Sequence, residues 1–194
     1  VSQVLDYVEA VHPRFERKKA EDFLLTTDIP SKKRVKELSK GMVTQLHLAL
    51  VMAIDVQLLV LDEPTLGLDI IYRKGFYDRL LNDYYDGNRT IIISTHQVEE
   101  IEVLLSHLIF IDRGKIVLNE MMSDLADIYV EVLVDADKIE KAEALNPIST
   151  RRILGKTACT YESVPKGQLE ALGDLHSPSV ADLFVAKMKD IHHG

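Results

Sequence analysis

The chain has 194 residues, enough to bury a sizeable core as one domain or somewhat more, and it carries a formal net charge of −8 with 46% hydrophobic residues. That balance argues against nucleic acid as a partner, because the basic triplets Arg17-Lys18-Lys19 and Lys32-Lys33-Arg34 stand among acids and read as solvated faces. A single cysteine, Cys159, excludes an internal disulfide and suits a reducing compartment; no apolar run is long enough to cross a bilayer, and the opening VSQVLDYVEA lacks the plan of a signal peptide.

Val4, Leu5, Val8 and Val11 share one helical face until His12-Pro13 breaks it, and a second, charged helix with Phe15, Phe23 and Leu24 follows. From Met42 to Ile54 the residues are apolar almost all round, which predicts a buried helix entered through Ser39-Lys40-Gly41 and places His47 inside. QLLVLD and TIIIS are short runs apolar on both faces, with a helix expected between Ile71 and Tyr85; strands of this kind alternating with helices predict a parallel sheet covered on both sides. LIFID, the turn DRGK and IVL predict a hairpin. Beyond about Ser123 the character shifts: YVEVLVD alternates as a half-exposed strand, KIEKAEAL is helical, RRIL and TACTYESV read as strands, and SVADLFVAKMKDI as a closing amphipathic helix. The expected organisation is an α/β domain over residues 1–122, helical to about residue 40, followed by a small α+β appendage over 123–194.

Asp62-Glu63 ends the apolar run LLVL. A buried parallel strand delivers its last residues to the carboxyl edge of the sheet, where ligands of open α/β sheets bind. One acid there can hold Mg²⁺ and the next can orient or deprotonate an attacking water, so the pattern points to nucleotide hydrolysis. Alone, the two acids would read better as a strand cap before the Pro64 turn.

LSKGM, LLVLDEPT, LGLD and ISTH occur in order between Leu38 and Leu118, and they resemble the signature motif, Walker B strand, D-loop and switch histidine of ABC transporter nucleotide-binding domains. The resemblance implies the C-terminal part of a P-loop NTPase domain with a helical subdomain, binding ATP and Mg²⁺. It assigns Ser39 and Gly41 to the γ-phosphate of ATP held by a second ATPase subunit, with Lys40 adding positive charge, and aims the following helix N-terminus at that phosphate. Asp62 would serve Mg²⁺, Glu63 would be the general base, His96 would contact the γ-phosphate and Asp69 would link the two sites across the dimer. The tail HSPSVADLFVAKM resembles ATPase subunits of bacterial ABC-2-type exporters, which implies transmembrane permease partners, no direct membrane insertion, and a cytoplasmic, peripheral place on the inner face of the cell membrane. The rival readings are a soluble ABC ATPase outside transport and a docking module without hydrolysis.

Two departures stand out. Lys40 and Met42 occupy positions where the signature usually has glycine and glutamine, and nothing before Leu38 matches the phosphate loop G-x-x-x-x-G-K-[ST]. Gly155-Lys156-Thr157 imitates its end, but the next residues read as a strand, so a hairpin turn is expected there. The chain is therefore expected to be a fragment, inactive on its own.

Overall fold

In the computed structural model, which describes residues 1–192, the chain folds as two units, the first ending at Gln97 and the second beginning at Val98. The first unit opens with α1 (Ser2–Val11) and α2 (Arg17–Leu24), the latter burying Ala20, Phe23 and Leu24. The basic triplet at the start of α2 is a solvated face as expected: Arg17 pairs with Asp6, Glu9 and Glu21 at 2.7, 2.9 and 2.8 Å. Phe15 precedes α2 and is buried, bridging to Ile54.

The third helix, α3 (Lys40–Met52), buries Gln45, Leu46, Leu48, Ala49 and Met52. Those positions recur at helical spacing and define one broad face, not the whole circumference. His47 falls off that face and is exposed, which corrects the expectation that it lies inside.

Next, β1 (Leu58–Asp62) leads through α4 (Ile70–Arg79) and a π-helical turn over Leu80–Tyr84 to β2 (Thr90–Ser94). The two strands pair in parallel, from Leu58 opposite Thr90 to Asp62 opposite Ser94, which is the expected βαβ arrangement. The expectation of cover on both sides fails. Leu59 and Leu61 are buried, but Leu58 is 53%, Val60 62% and Ile92 51% exposed, because nothing among the described residues of this unit packs on their face.

In the second unit two short 3-10 turns, Val98–Glu100 and Glu102–Leu104, lead into the predicted hairpin, β3 (His107–Asp112) and β4 (Lys115–Met121), turned by Arg113 and Gly114 at φ +45° and +77°. Leu108, Phe110 and Leu118 cluster with Tyr129, Val180 and Leu183, so the hairpin shares a core with the elements that follow it. After α5 (Met122–Ile128) comes β5 (Tyr129–Val134), the helix α6 (Ile139–Glu143), β6 (Ser149–Ile153), β7 (Lys156–Glu162), the short α7 (Lys166–Leu169), β8 (Gly173–His176) and α8 (Val180–His192). The four strands form an antiparallel sheet in the order β6-β7-β5-β8.

The expectation of a half-exposed β5 is also corrected. Lying between β7 and β8, it turns Val130, Val132 and Val134 into one core cluster and Tyr129 into another. Its alternating polar residue, Glu131, is only 8% exposed and meets Arg151 at 3.3 Å. The segment Leu154-Gly155 joins β6 to β7 with φ +46° and +86°, so Gly155-Lys156-Thr157 is the expected hairpin turn and not a phosphate cradle.

Candidate functional site

At the carboxyl end of β1 the backbone leaves the sheet abruptly. Glu63 adopts φ +44°, unusual for a residue with a side chain, while its N–H still donates to the Ser94 carbonyl at 2.9 Å. The carboxylate is turned toward the end of β2, where His96 donates its backbone N–H to Oε1 at 3.1 Å and brings Nδ1 to 2.7 Å of the same oxygen. A carboxylate only accepts, so a His96 proton sits on Nδ1, while Nε2 accepts in the neutral ring and donates in the imidazolium. The Thr95 hydroxyl donates to Oε2 at 3.2 Å, and the Ser94 hydroxyl donates to Asp62 Oδ1.

Burial alone would raise the Glu63 pKa, but the hydrogen bonds from the His96 ring, Thr95 and the His96 backbone, with the charge of His96, outweigh it and hold the carboxyl below its ordinary value. Glu63 is thereby kept ionised and oriented. Asp62 is exposed beside it at the strand end. No group of three or more His, Cys, Asp or Glu among the described residues could cage a metal. Mg²⁺ needs no such cage: it keeps waters and binds through one or two carboxylates plus substrate phosphates, a donor set that Asp62 fits.

A second group forms around the start of α3. Ser39 caps the helix, accepting from the Met42 N–H at 3.2 Å, and Lys40 is exposed in the first turn. A Cβ on Gly41 would come within 3.2 Å of the Gly67 carbonyl oxygen, so the helix start and the 65–69 loop pass close together. Thr44 Oγ1 touches the Leu66 carbonyl at 3.4 Å. Asp69 ends that loop by capping α4, accepting from Ile71 and Tyr72 N–H at 3.0 and 3.2 Å. Ser39, Gly41, Gly67 and Asp69 line a cleft of about 310 Å³ with Tyr72 and Asp28, whose side chains hydrogen-bond at 2.5 Å.

The structure thus brings Asp62, Glu63 and His96 into one constellation, and Ser39, Gly41 and Asp69 into one cleft. Sequence reading missed Ser94, Thr95, Arg73 and Gln97. The first two were visible within ISTH, where hydroxyls directly precede the histidine; Arg73 and Gln97 carried no signal, since the side-chain hydrogen bond that joins them spans 24 residues.

No family model matches the chain. Among curated proteins, Nod factor export ATP-binding protein I of Rhizobium etli is 38% identical over 138 residues, covering 69% of this chain and 43% of that protein. Its namesake in Cupriavidus metallidurans is 33% identical over 164 residues, covering 78% and 54%. ABC transporter ATP-binding protein YtrB of Bacillus subtilis is 27% identical over 135 residues, covering 70% and 46%. The chain is homologous to ABC transporter ATP-binding proteins. It spans about half the length of these relatives. A solved structure of a candidate cobalt transport ATP-binding protein superposes over 89% of this chain and 60% of its own, at a TM-score of 0.51 and 16% identity, a likeness of fold. The α/β architecture is therefore that of the ABC ATPases, a P-loop NTPase fold. No helix among the described residues is long and apolar enough to cross a membrane.

Proposed function

We propose that this ABC chain is part of the ATP-binding and ATP-hydrolysing subunit of a bacterial transporter, powering export through transmembrane permease subunits. The observation that carries the reading is the Glu63 carboxylate, turned out of the sheet by a left-handed backbone and held by His96 and Thr95 next to Asp62. Glu63 is the general base that orients and deprotonates the hydrolytic water, and His96 meets the γ-phosphate through Nε2–H of its imidazolium form, since a phosphate oxygen only accepts. Asp62 holds Mg²⁺, which offsets charge on the phosphates. Ser39, Lys40 and Gly41 at the start of α3 meet the γ-phosphate of ATP on a second ATPase subunit, and Asp69 faces that subunit. The export direction is supported by the relatives named for Nod factor export.

The phosphate loop belongs to a segment outside these 194 residues, since the one candidate within them is a hairpin turn. Residues 1–122 are the ATPase part and 123–194 an accessory domain, cytoplasmic and peripheral on the inner face of the membrane. In the full-length subunit, Glu63→Gln should leave ATP affinity intact and lower turnover by roughly 10²- to 10⁴-fold, the range for loss of a positioned base. The 194-residue chain alone should bind no Mg-ATP at micromolar concentration in calorimetry. Unchanged turnover in Glu63→Gln would make Glu63 a structural cap and the chain a docking module.

A further inference from the structure

Arg73 lies in the first turn of α4, four residues beyond Asp69, whose carbonyl accepts its N–H at 3.0 Å. Its guanidinium reaches in two directions. Nε donates to the Leu68 carbonyl at 2.8 Å, and Nη1 donates to Gln97 Oε1 at 2.8 Å. Gln97 in turn donates its backbone N–H to Thr95 Oγ1 at 3.0 Å, and that same hydroxyl donates to Glu63 Oε2. An unbroken run of hydrogen bonds therefore joins the 65–69 loop to the carboxylate at the end of β1. The loop end of this run is firmly held: Leu68 is 4% exposed with its N–H on the Thr65 carbonyl, and the Thr65 hydroxyl meets Tyr77 Oη at 3.3 Å in the core.

We propose that Arg73 is a positioning residue that ties the 65–69 loop and the Thr95–Gln97 turn into one mechanical unit, so that displacement at Asp69 reorients the groups holding Glu63. The inference rests on the reading of Glu63 as the base for hydrolysis of a magnesium-bound nucleoside triphosphate. Its physical core is the planar guanidinium fork. Two acceptors on different loops share one rigid, permanently charged donor, so moving either loop alone breaks a charge-assisted bond, stronger than one between neutral groups. Lysine offers a point charge on a flexible stem and cannot fix the two acceptors relative to each other. Asp69 caps the same helix turn from which Arg73 projects, so a force on Asp69 is delivered to the base of the fork.

The test has two arms. In the 194-residue chain, Arg73→Ala should speed amide exchange at His96 and Gln97 by about tenfold, the scale of one hydrogen bond to a charged group, while Ile91 to Ile93 of β2 keep their rates. Arg73→Lys should restore only part of the protection. In the full-length subunit, Arg73→Ala and Gln97→Ala should each lower kcat about tenfold with KM for ATP unchanged, and the double variant should be no slower than either single one. Unchanged exchange at His96 and Gln97, or equal acceleration throughout β2, would overturn the proposal, as would losses that multiply in the double variant. If exchange responds as stated but Glu63→Gln turns over normally, the assignment of Glu63 fails while the Arg73 linkage stands.

Discussion

Glu63 accepts three hydrogen bonds through two oxygens, and each donor comes from the two residues after β2. That concentration has a consequence for acid stability. Its folded pKa lies below the ordinary carboxylate value of about 4.3, so the group contributes stability that is fully present above that value and is lost as pH falls through the lower folded pKa. With the Glu63 side chain about one-third exposed, the contribution is modest. Between pH 7 and the acid side of that window, the urea midpoint of the parent chain should therefore fall further than that of Glu63→Gln. Parallel falls would show that the hydrogen bonds do not hold the carboxyl down in solution. The presence of an acid pair at a strand end was legible in DEP after LLVL. The left-handed backbone at Glu63 was not, because a non-glycine residue gives no local sign that its surroundings will hold it there.

Among the elements, α4 depends on its capping residue in a way that competes with the intersubunit role proposed for Asp69. The carboxylate already caps its own helix at Ile71 and Tyr72. Asp69→Ala should lower the unfolding free energy of the chain by about 1 kcal/mol, and Asp69→Asn by much less, since both Asp and Asn cap well. Equal stability of the alanine variant in urea denaturation would mean that the cap is not formed in solution. The β3–β4 hairpin and the turn at Leu154-Gly155 were readable because a left-handed turn favours glycine and DRGK and LGK supply it. The parallel pairing of β1 with β2 followed from strand, helix, strand. What escaped was cover. An apolar run tells which residues could be buried, and only the neighbours decide which are: His47 and Val60 ended outside, and the whole of β5 but Leu133 ended inside.

At the scale of the molecule, each unit taken by itself carries an open apolar sheet face. Among the described residues, Leu58, Val60 and Ile92 of the first are exposed and β2 pairs with β1 alone; in the second, Ile109, Ile111 and Ile116 are at least half exposed and β3 pairs with β4 alone. Unpaired edges beside apolar faces are templates for association. The chain should therefore self-associate, with light-scattering mass rising with concentration, while the sheet from Tyr129 onward stays protected in hydrogen exchange. A concentration-independent monomer with Ile91 to Ile93 as well protected as β5 would show that the core is complete without a further strand. The mismatch was invisible to composition, since 46% hydrophobic residues suit a well-covered domain and an open one alike.

The near-contact between position 41 and the Gly67 carbonyl also bears on the order in which changes there can be made. Two stretches separated by β1 share one allowance of space, so a side chain at position 41 requires the 65–69 loop to give by a few tenths of an ångström. A change that draws the loop back would then ease a later substitution at position 41, so the order of the two changes matters. Tolerance at position 41 is therefore set by the geometry of its neighbour as well as by any ligand.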